Sequence, residues 1–239
     1  MTAPSNEGVC AICEAPTIFV EHNAWLRDHY KCARCESIPR NRALVNALNR
    51  FRPAWKEAVL HESSPGGPLS AFLQQACVGY SSSYCFDGVP RGEYRGPHRS
   101  EDLSRMTFAD AAFDLFCTSD VFEHVLEPEA AFAEIARVLR PGGAHVFTMP
   151  WYPLLETTAV RARLNGNGTV EHLMEAIYHG NPLSAEGALV TRDWGRDVAD
   201  VIQRASGLST TIFIERDRSK GLDGEYLEVF VSQKPWLHR

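Results

Sequence analysis

The chain has 239 residues, 44% of them hydrophobic, so a full core can form and global disorder is not expected. Its net charge of -6 argues against nucleic acid as the dominant partner, although residues 1–56 hold eight Lys/Arg against five Asp/Glu. No apolar run reaches the ~18–20 residues a membrane helix needs, and Met1-Thr2-Ala3-Pro4-Ser5-Asn6-Glu7 lacks the pattern of a signal peptide. The expectation is a soluble, cytoplasmic protein without a membrane partner.

Cysteines stand at 10, 13, 32, 35, 77, 85 and 117. An odd number without an export signal points to reduced thiols and metal ligation, not to disulfides. Cys10-Ala-Ile-Cys13 and Cys32-Ala-Arg-Cys35 are separated by 18 residues. Each C-x-x-C wraps a tight turn, and two such knuckles make a closed tetrahedral site of four sulfurs. Zinc is the first expectation, and iron is not excluded by ligand softness. His22 and His29 lie between the knuckles but are expected at the surface. Thr17–Val20 and Ala24–Leu26 read as two short strands between the cysteine pairs. A segment this small needs a metal staple to hold its shape.

Residues 1–38 are therefore read as a four-cysteine zinc-binding module and 39–56 as a linking helix. Leu44, Leu48 and Phe51 repeat at helical spacing, and Pro53 marks the stop. Arg40 and Arg42, at the helix start, are expected on a solvated face.

From residue 57 onward, strands alternate with helices, as in a doubly wound parallel sheet. Ala58–Glu62 is a buried strand, Ser63-Ser64-Pro65-Gly66-Gly67-Pro68 a small-residue turn, and Leu69–Gln75 a helix. A nucleotide-like ligand binds where such a strand meets a helix N-terminus. The turn lacks G-x-G-x-x-G, so a nicotinamide dehydrogenase is disfavoured. Further on, Phe113–Thr118 reads as a strand, Pro128–Leu139 as an amphipathic helix and Ala144–Met149 as another strand.

The run Phe113–Pro150, with its F-D-L, D-V-x-E-H-V and E-I-x-R-V-L-x-P-G-G segments, resembles class I S-adenosylmethionine-dependent methyltransferases. It is most similar to the small-molecule O-methyltransferases typified by ubiquinone biosynthesis. With the first strand and turn, the resemblance spans residues 57–150. It implies an α/β, Rossmann-like seven-stranded sheet beside the zinc-ribbon-like module, with S-adenosylmethionine at the carboxyl edge.

By this resemblance, Glu62, Ser64 and Gly66 form the cofactor loop, although only Gly66-Gly67 survive of the family's glycines. Tyr84 stands where the family places a ribose-binding acid, with Asp87 the nearest carboxylate. Asp102 and Leu103 hold the adenine, and Ser119 and Asp120 flank the methionine half. Asp120, Glu123 and His124 match a cluster that binds a divalent metal, magnesium, in the ubiquinone-type enzymes.

Methyl transfer to a hydroxyl needs alignment and one proton acceptor. His124 is the first candidate base and His179 the second. Residues 150–197 form an insertion rich in His, Arg, Asn and aromatics, placed as an acceptor lid. Such a wall suits a small hydroxylated acceptor, a sugar or a phenol. The rival reading is a zinc ribbon that binds RNA or protein, attached to a catalytically degenerate Rossmann domain. Oligomeric state is left open.

Overall fold

The computed structural model describes residues 3–181 and 183–236. The first three strands, β1 (Ser5–Cys10), β2 (Ala15–Glu21) and β3 (Tyr30–Cys32), pair antiparallel in the order β1-β2-β3. Ala24–Leu26 is not a strand. Trp25 N–H donates to Asn23 Oδ1 at 2.8 Å, and its indole N–H donates to Asp28 at 2.8 Å. This Asx turn starts a short helix, α1 (Leu26–His29).

The linking helix α2 (Pro39–Phe51) begins with proline in its first turn, where the missing N–H has no helical partner to lose. Its apolar stripe of Leu44, Val45 and Leu48 is fully buried.

The main sheet has eight strands: β4 (Val59–Ser63), β5 (Gly79–Tyr84), β6 (Tyr94–Arg95), β7 (His98–Ser100), β8 (Phe113–Ser119), β9 (Leu139–Thr148), β16 (Ser209–Phe213) and β17 (Val229–Gln233). Their order is β16-β17-β9-β8-β4-β5-β7-β6. Seven strands are the expected ones, and the two-residue β6 is an added hairpin partner of β7. Strands β7, β5, β4, β8 and β9 run parallel, while β17 is antiparallel to both β9 and β16.

Helices α2 and α3 (Gly67–Ala76) cover one face of the sheet, and α4 (Pro128–Val138) and α5 (Val198–Ser206) the other. Phe122, Phe132, Phe147 and Trp194 dominate the second face. Strand β9 starts directly after α4. Its register against β8 shifts from Phe113↔Leu139 to Leu115↔Ala144, so Pro141-Gly142-Gly143 bulges within the strand and does not precede it.

The insertion folds as paired short strands: β10 (Ala159–Val160) with β15 (Arg192–Asp193), β11 (Ala162–Leu164) with β12 (Val170–His172), and β13 (Tyr178–Asn181) with β14 (Ser184–Leu189). Pro182, at the end of the Tyr178–Pro182 turn, lies outside the described residues. Among the described residues, no helix is long and apolar enough to cross a membrane.

Candidate active site

Parallel strands end together at one edge of the sheet, and the loops that follow β4, β5, β7 and β8 surround a cleft of about 690 Å³ there. Glu62, Ser64, Gly66, Tyr84, Asp102, Leu103, Ser119, Asp120 and His124 all line it. Sequence reasoning therefore placed these nine residues around one cavity. Asp87 is exposed and absent from the lining, because the loop after β5 turns it outward.

The first turn keeps its shape despite the lost glycines. Ser64 has φ +59° and Gly67 φ +65°, both left-handed. Ser64 N–H donates to the Ser83 carbonyl at 2.8 Å, which ties the turn to β5. A Cβ added at Gly66 or Gly67 would meet open space. The backbone is thus bare towards the cleft, as close approach of a ligand requires. Glu62 is buried and accepts hydrogen bonds from Ser70 (2.7 Å) and Tyr80 (2.6 Å). Burial pushes its carboxyl up to about 7 against those two hydrogen bonds. The Tyr84 hydroxyl donates to the Pro65 carbonyl and braces the turn from the β5 side.

At the other end of the cleft, Asp102 makes an Asx turn: its Oδ1 accepts from Ser104 N–H (2.9 Å) and Ser104 Oγ (2.6 Å). Arg105 takes Oδ2 at 3.1 Å. The turn sets Leu103 into the wall, 7% exposed, as a flat apolar surface for an aromatic ring. Glu101, beside it, is consumed structurally by Arg99 and Thr107.

Asp120 has φ +54° at the end of β8. Its Oδ1 accepts from Thr148 Oγ1 at 3.0 Å, and Thr148 also faces Ser119 Oγ at 3.2 Å. Oδ2 is shared by two guanidinium groups, Arg27 at 2.5 Å and Arg40 at 2.9 Å. Neither Arg40 nor Arg42 sits on the solvated face the sequence suggested. Arg40 lines the cleft, and Arg42 is fully buried, donating to the Ser37, Tyr30 and Gly221 carbonyls. Arg27 was missed altogether, since nothing in the local pattern distinguishes it from a surface residue of a short helix.

His124 Nδ1 is 2.9 Å from the Leu189 carbonyl, which can only accept; Nδ1 therefore carries the proton and Nε2 a lone pair. Burial holds its pKa below the usual histidine value despite that hydrogen bond. His179, on β13, meets the His124 ring edge-on with centroids 5.3 Å apart. Glu123 Oε1 lies 3.8 Å from His124 Nε2, and Glu123 Oε2 is buried with no partner among the described residues. Burial, with the neighbouring Asp120 charge, raises the Glu123 carboxyl well above its ordinary value.

The ligand atoms of Glu123, His124 and His179 lie within 4.8 Å of one another. Asp120 is not in this group, and its second oxygen is engaged by the two arginines. One carboxylate and two imidazoles are not the oxygen cage that magnesium demands. The arrangement gives no support to the expected Asp120/Glu123/His124 magnesium site.

The sulfurs of Cys10, Cys13, Cys32 and Cys35 converge within 4.8 Å. Cys10 and Cys35 are 3.7 Å apart, and Cys13 and Cys32 3.9 Å. A tetrahedron of Zn–S bonds has edges of about 3.8 Å, whereas a disulfide needs about 2 Å. Burial and the three neighbouring sulfurs push the Cys13 thiol up to about 12, while at Cys32 burial is outweighed by the Thr17 and backbone hydrogen bonds, which bring the thiol down to about 7. A cation would let all four stand as thiolates. The donor set fits zinc. His22 and His29 are not among its members.

Residues 66–147 match the family described as "Methyltransferase domain". The chain is 28% identical over 149 residues to an uncharacterised 37.1 kDa protein of transposon TN4556 from Streptomyces fradiae. That match covers 57% of this chain, and the chain spans about two fifths (41%) of that relative's length.

Among solved structures, an S-adenosylmethionine-dependent methyltransferase from Mesorhizobium loti superposes with TM-score 0.52 at 15% identity, covering 80% of this chain and 98% of that one. An amino pentose methyltransferase of calicheamicin biosynthesis from Micromonospora echinaspora, solved with S-adenosylmethionine bound, gives 0.52 at 15% identity over 82% of this chain and 91% of that one. DesVI from Streptomyces venezuelae gives 0.51 at 16% identity over 82% and 92%. The chain has the Rossmann-like fold of class I methyltransferases, and its residues 66–147 match the methyltransferase-domain family.

Proposed function

We propose that this protein is an S-adenosylmethionine-dependent methyltransferase that methylates a hydroxyl of a small acceptor, a sugar or a phenolic metabolite. The observation that carries this reading is the single cleft in which the bare Ser64–Gly67 turn, the Asp102–Leu103 wall and the Ser119–Asp120 strand end meet a neutral histidine. S-Adenosylmethionine, when bound, supplies a methyl group on a sulfonium: its C–S bond breaks as an O–C bond forms, and the hydroxyl proton must leave.

His124 is suited to take that proton. Its Nε2 lone pair is fixed by the Nδ1–H bond to Leu189, and its low pKa keeps it unprotonated at neutral pH. His179 packs its ring edge-on against His124 and orients it. Glu123 Oε1 stands 3.8 Å from the same Nε2, and burial, with the neighbouring Asp120 charge, raises that carboxyl well above its ordinary value. The hairpin β13–β14 brings Gly180, Asn181 and Leu183 to the cleft rim, so it is well placed to cover an acceptor. A wall of Asn and His side chains supports a hydroxylated ligand.

The rival reading, a binding module with a degenerate Rossmann domain, expects no cofactor affinity. Calorimetric titration of the zinc-loaded full chain with S-adenosylmethionine and S-adenosylhomocysteine decides between them; absence of heat with both sinks the enzyme reading. Transfer of labelled methyl to a panel of phenols, sugars and amino sugars then reads the acceptor class, and a product methylated only at an amine nitrogen would contradict O-methylation.

A further inference from the structure

The cysteine module and the cleft converge on one side chain, Asp120. Arg27, 5% exposed, comes from α1 between the two knuckles, and Arg40 is the second residue of α2, which starts four residues after Cys35. Both bind the same oxygen of Asp120. The segments that carry them are fixed from the sulfur cluster. Ser37 Oγ lies 3.1 Å from Cys35 Sγ and 3.5 Å from Cys10 Sγ, while the Ser37 carbonyl accepts from Arg42. Displacing the knuckles would move Ser37, the start of α2 and Arg40 together.

Arg40 lines the cleft beside Asp120, which follows β8, whereas Asp102 and Leu103 follow β7, three strands along the sheet. It contacts Asp120 through Nε and Asp28 through Nη1. A guanidinium has five N–H donors, so those two contacts leave donors in hand. A carboxylate and a guanidinium side by side on one wall complement an amino-acid zwitterion, with its ammonium on the acid and its carboxylate on the fork. The methionine half of S-adenosylmethionine is such a zwitterion.

We propose that the cysteine module is a working part of the cofactor site: Arg40 receives the methionine carboxylate, Arg27 holds Asp120 in register, and metal in the module and cofactor in the cleft bind cooperatively. The inference rests on the methyltransferase reading above. Arg40 is a binding residue in it, and Arg27 a positioning residue.

The test uses the zinc-loaded full chain, S-adenosylmethionine and decarboxylated S-adenosylmethionine, titrated calorimetrically. Arg40→Ala should weaken S-adenosylmethionine by about tenfold to a hundredfold, the range for one charged hydrogen bond. It should leave the decarboxylated ligand within about twofold, and Arg40→Lys should recover part of the loss. Equal weakening of both ligands would overturn the carboxylate assignment.

Zinc affinity, measured by competition with a chromogenic chelator, should rise in the presence of saturating S-adenosylhomocysteine. Linkage requires the same factor in cofactor affinity when zinc is added back to stripped protein. Identical zinc affinity with and without S-adenosylhomocysteine overturns the coupling. Wild-type protein that binds neither ligand overturns the methyltransferase reading itself, which the first titration reveals before any variant is made.

Discussion

Ser64 holds φ +59° at the first bend of the cofactor turn, a conformation that costs an L-residue about 1–2 kcal/mol and glycine almost nothing. The turn therefore kept a glycine's geometry after losing the glycine, which is why the residues alone made it look eroded. Ser64→Gly should raise stability by about 0.5–1 kcal/mol in urea titration, once the greater flexibility of an unfolded glycine is subtracted. A loss of stability would mean that the Ser64 side chain makes a contact that outweighs the strain.

His124 makes a prediction of the opposite kind, one on rate. Replacing it with Gln, which cannot take a proton, should lower kcat by about a hundredfold or more while leaving cofactor affinity near wild type. In the wild type, burial has lowered the pKa of this base, so the acidic limb of kcat should fall below pH 6.5, the ordinary histidine value. An acidic limb at or above that value would assign the proton to another group. Single residues of the cleft wall could be named from the sequence because the Phe113–Pro150 resemblance fixes which strand ends meet there. Arg27 was not, because its role depends on a partner 93 residues away in sequence.

Among the elements, β4 and β8 were read from apolar runs to within a residue or two, whereas β5 and β7, Gly79–Tyr84 and His98–Ser100, carry too few apolar residues to be read that way. The Ala24–Leu26 strand and the start of β9 were misplaced. Both errors are local exceptions to periodicity, the first an Asx turn led by Asn23 and the second a bulge at Pro141–Gly143. Strand β1 gave little signal: Ser5-Asn6-Glu7-Gly8 is polar, and it pairs because the cysteine cluster closes the hairpin behind it.

Gly8 on β1 lies against the Ser219 carbonyl, in the loop between β16 and β17, where an added Cβ would overlap backbone. Gly8→Ala should loosen the module from the main domain without touching a metal ligand. The expected readout is faster amide exchange in residues 3–35 and 214–224, with β4 and β8 unchanged.

Buried histidines on two strands of the sheet set its acid stability. His61 on β4 and His145 on β9 are both pushed down to about 3 by burial, with Arg99 adding to the effect at His61. Each binds fewer protons folded than unfolded between pH 3 and 6.5, so stability rises with pH across that window and is lost as pH falls below 6.5. At pH 5.5 the loss is about 1.4 kcal/mol for each histidine. Glu62, raised to about 7, acts in the other direction, gaining stability as pH falls from 7 towards 4.5. His145→Phe, which keeps the ring stack on Phe147, should flatten the net decline between pH 7 and 5 measured by urea titration. An unchanged slope would show that His145 is not the group that titrates.

At the scale of the whole molecule, the cysteine module, the linking helix and the α/β segment read from spacing and periodicity share one packed core. One apolar cluster runs from Cys10, Phe19 and Tyr30 through Leu44 and Leu48 of α2 to Leu60, Leu115 and Val146 of the sheet. Arg42 sits inside this junction, its guanidinium 4.7 Å from the Phe19 ring centroid and bonded to Gly221 of the far loop. A residue that looked like a solvated helix face is a buried strut between three segments.

The cysteine spacing points to a metal-binding cluster but not to this continuity, which depends on contacts between residues about two hundred positions apart, as when Asn6 donates to the Arg218 carbonyl. A shared core implies shared cooperativity. Stripping the metal should therefore lower the temperature of a single calorimetric transition for the whole chain, because the sulfurs' mutual repulsion and the loss of Ser37 and Arg42 contacts reach the sheet through α2. Arg42→Ala in metal-loaded protein should produce the same kind of shift, by leaving the Gly221 and Tyr30 carbonyls without their donor, at a cost of about 1–3 kcal/mol for each unsatisfied group. Two separate transitions, with only the smaller one responsive to metal, would instead make the module an independently folding appendage.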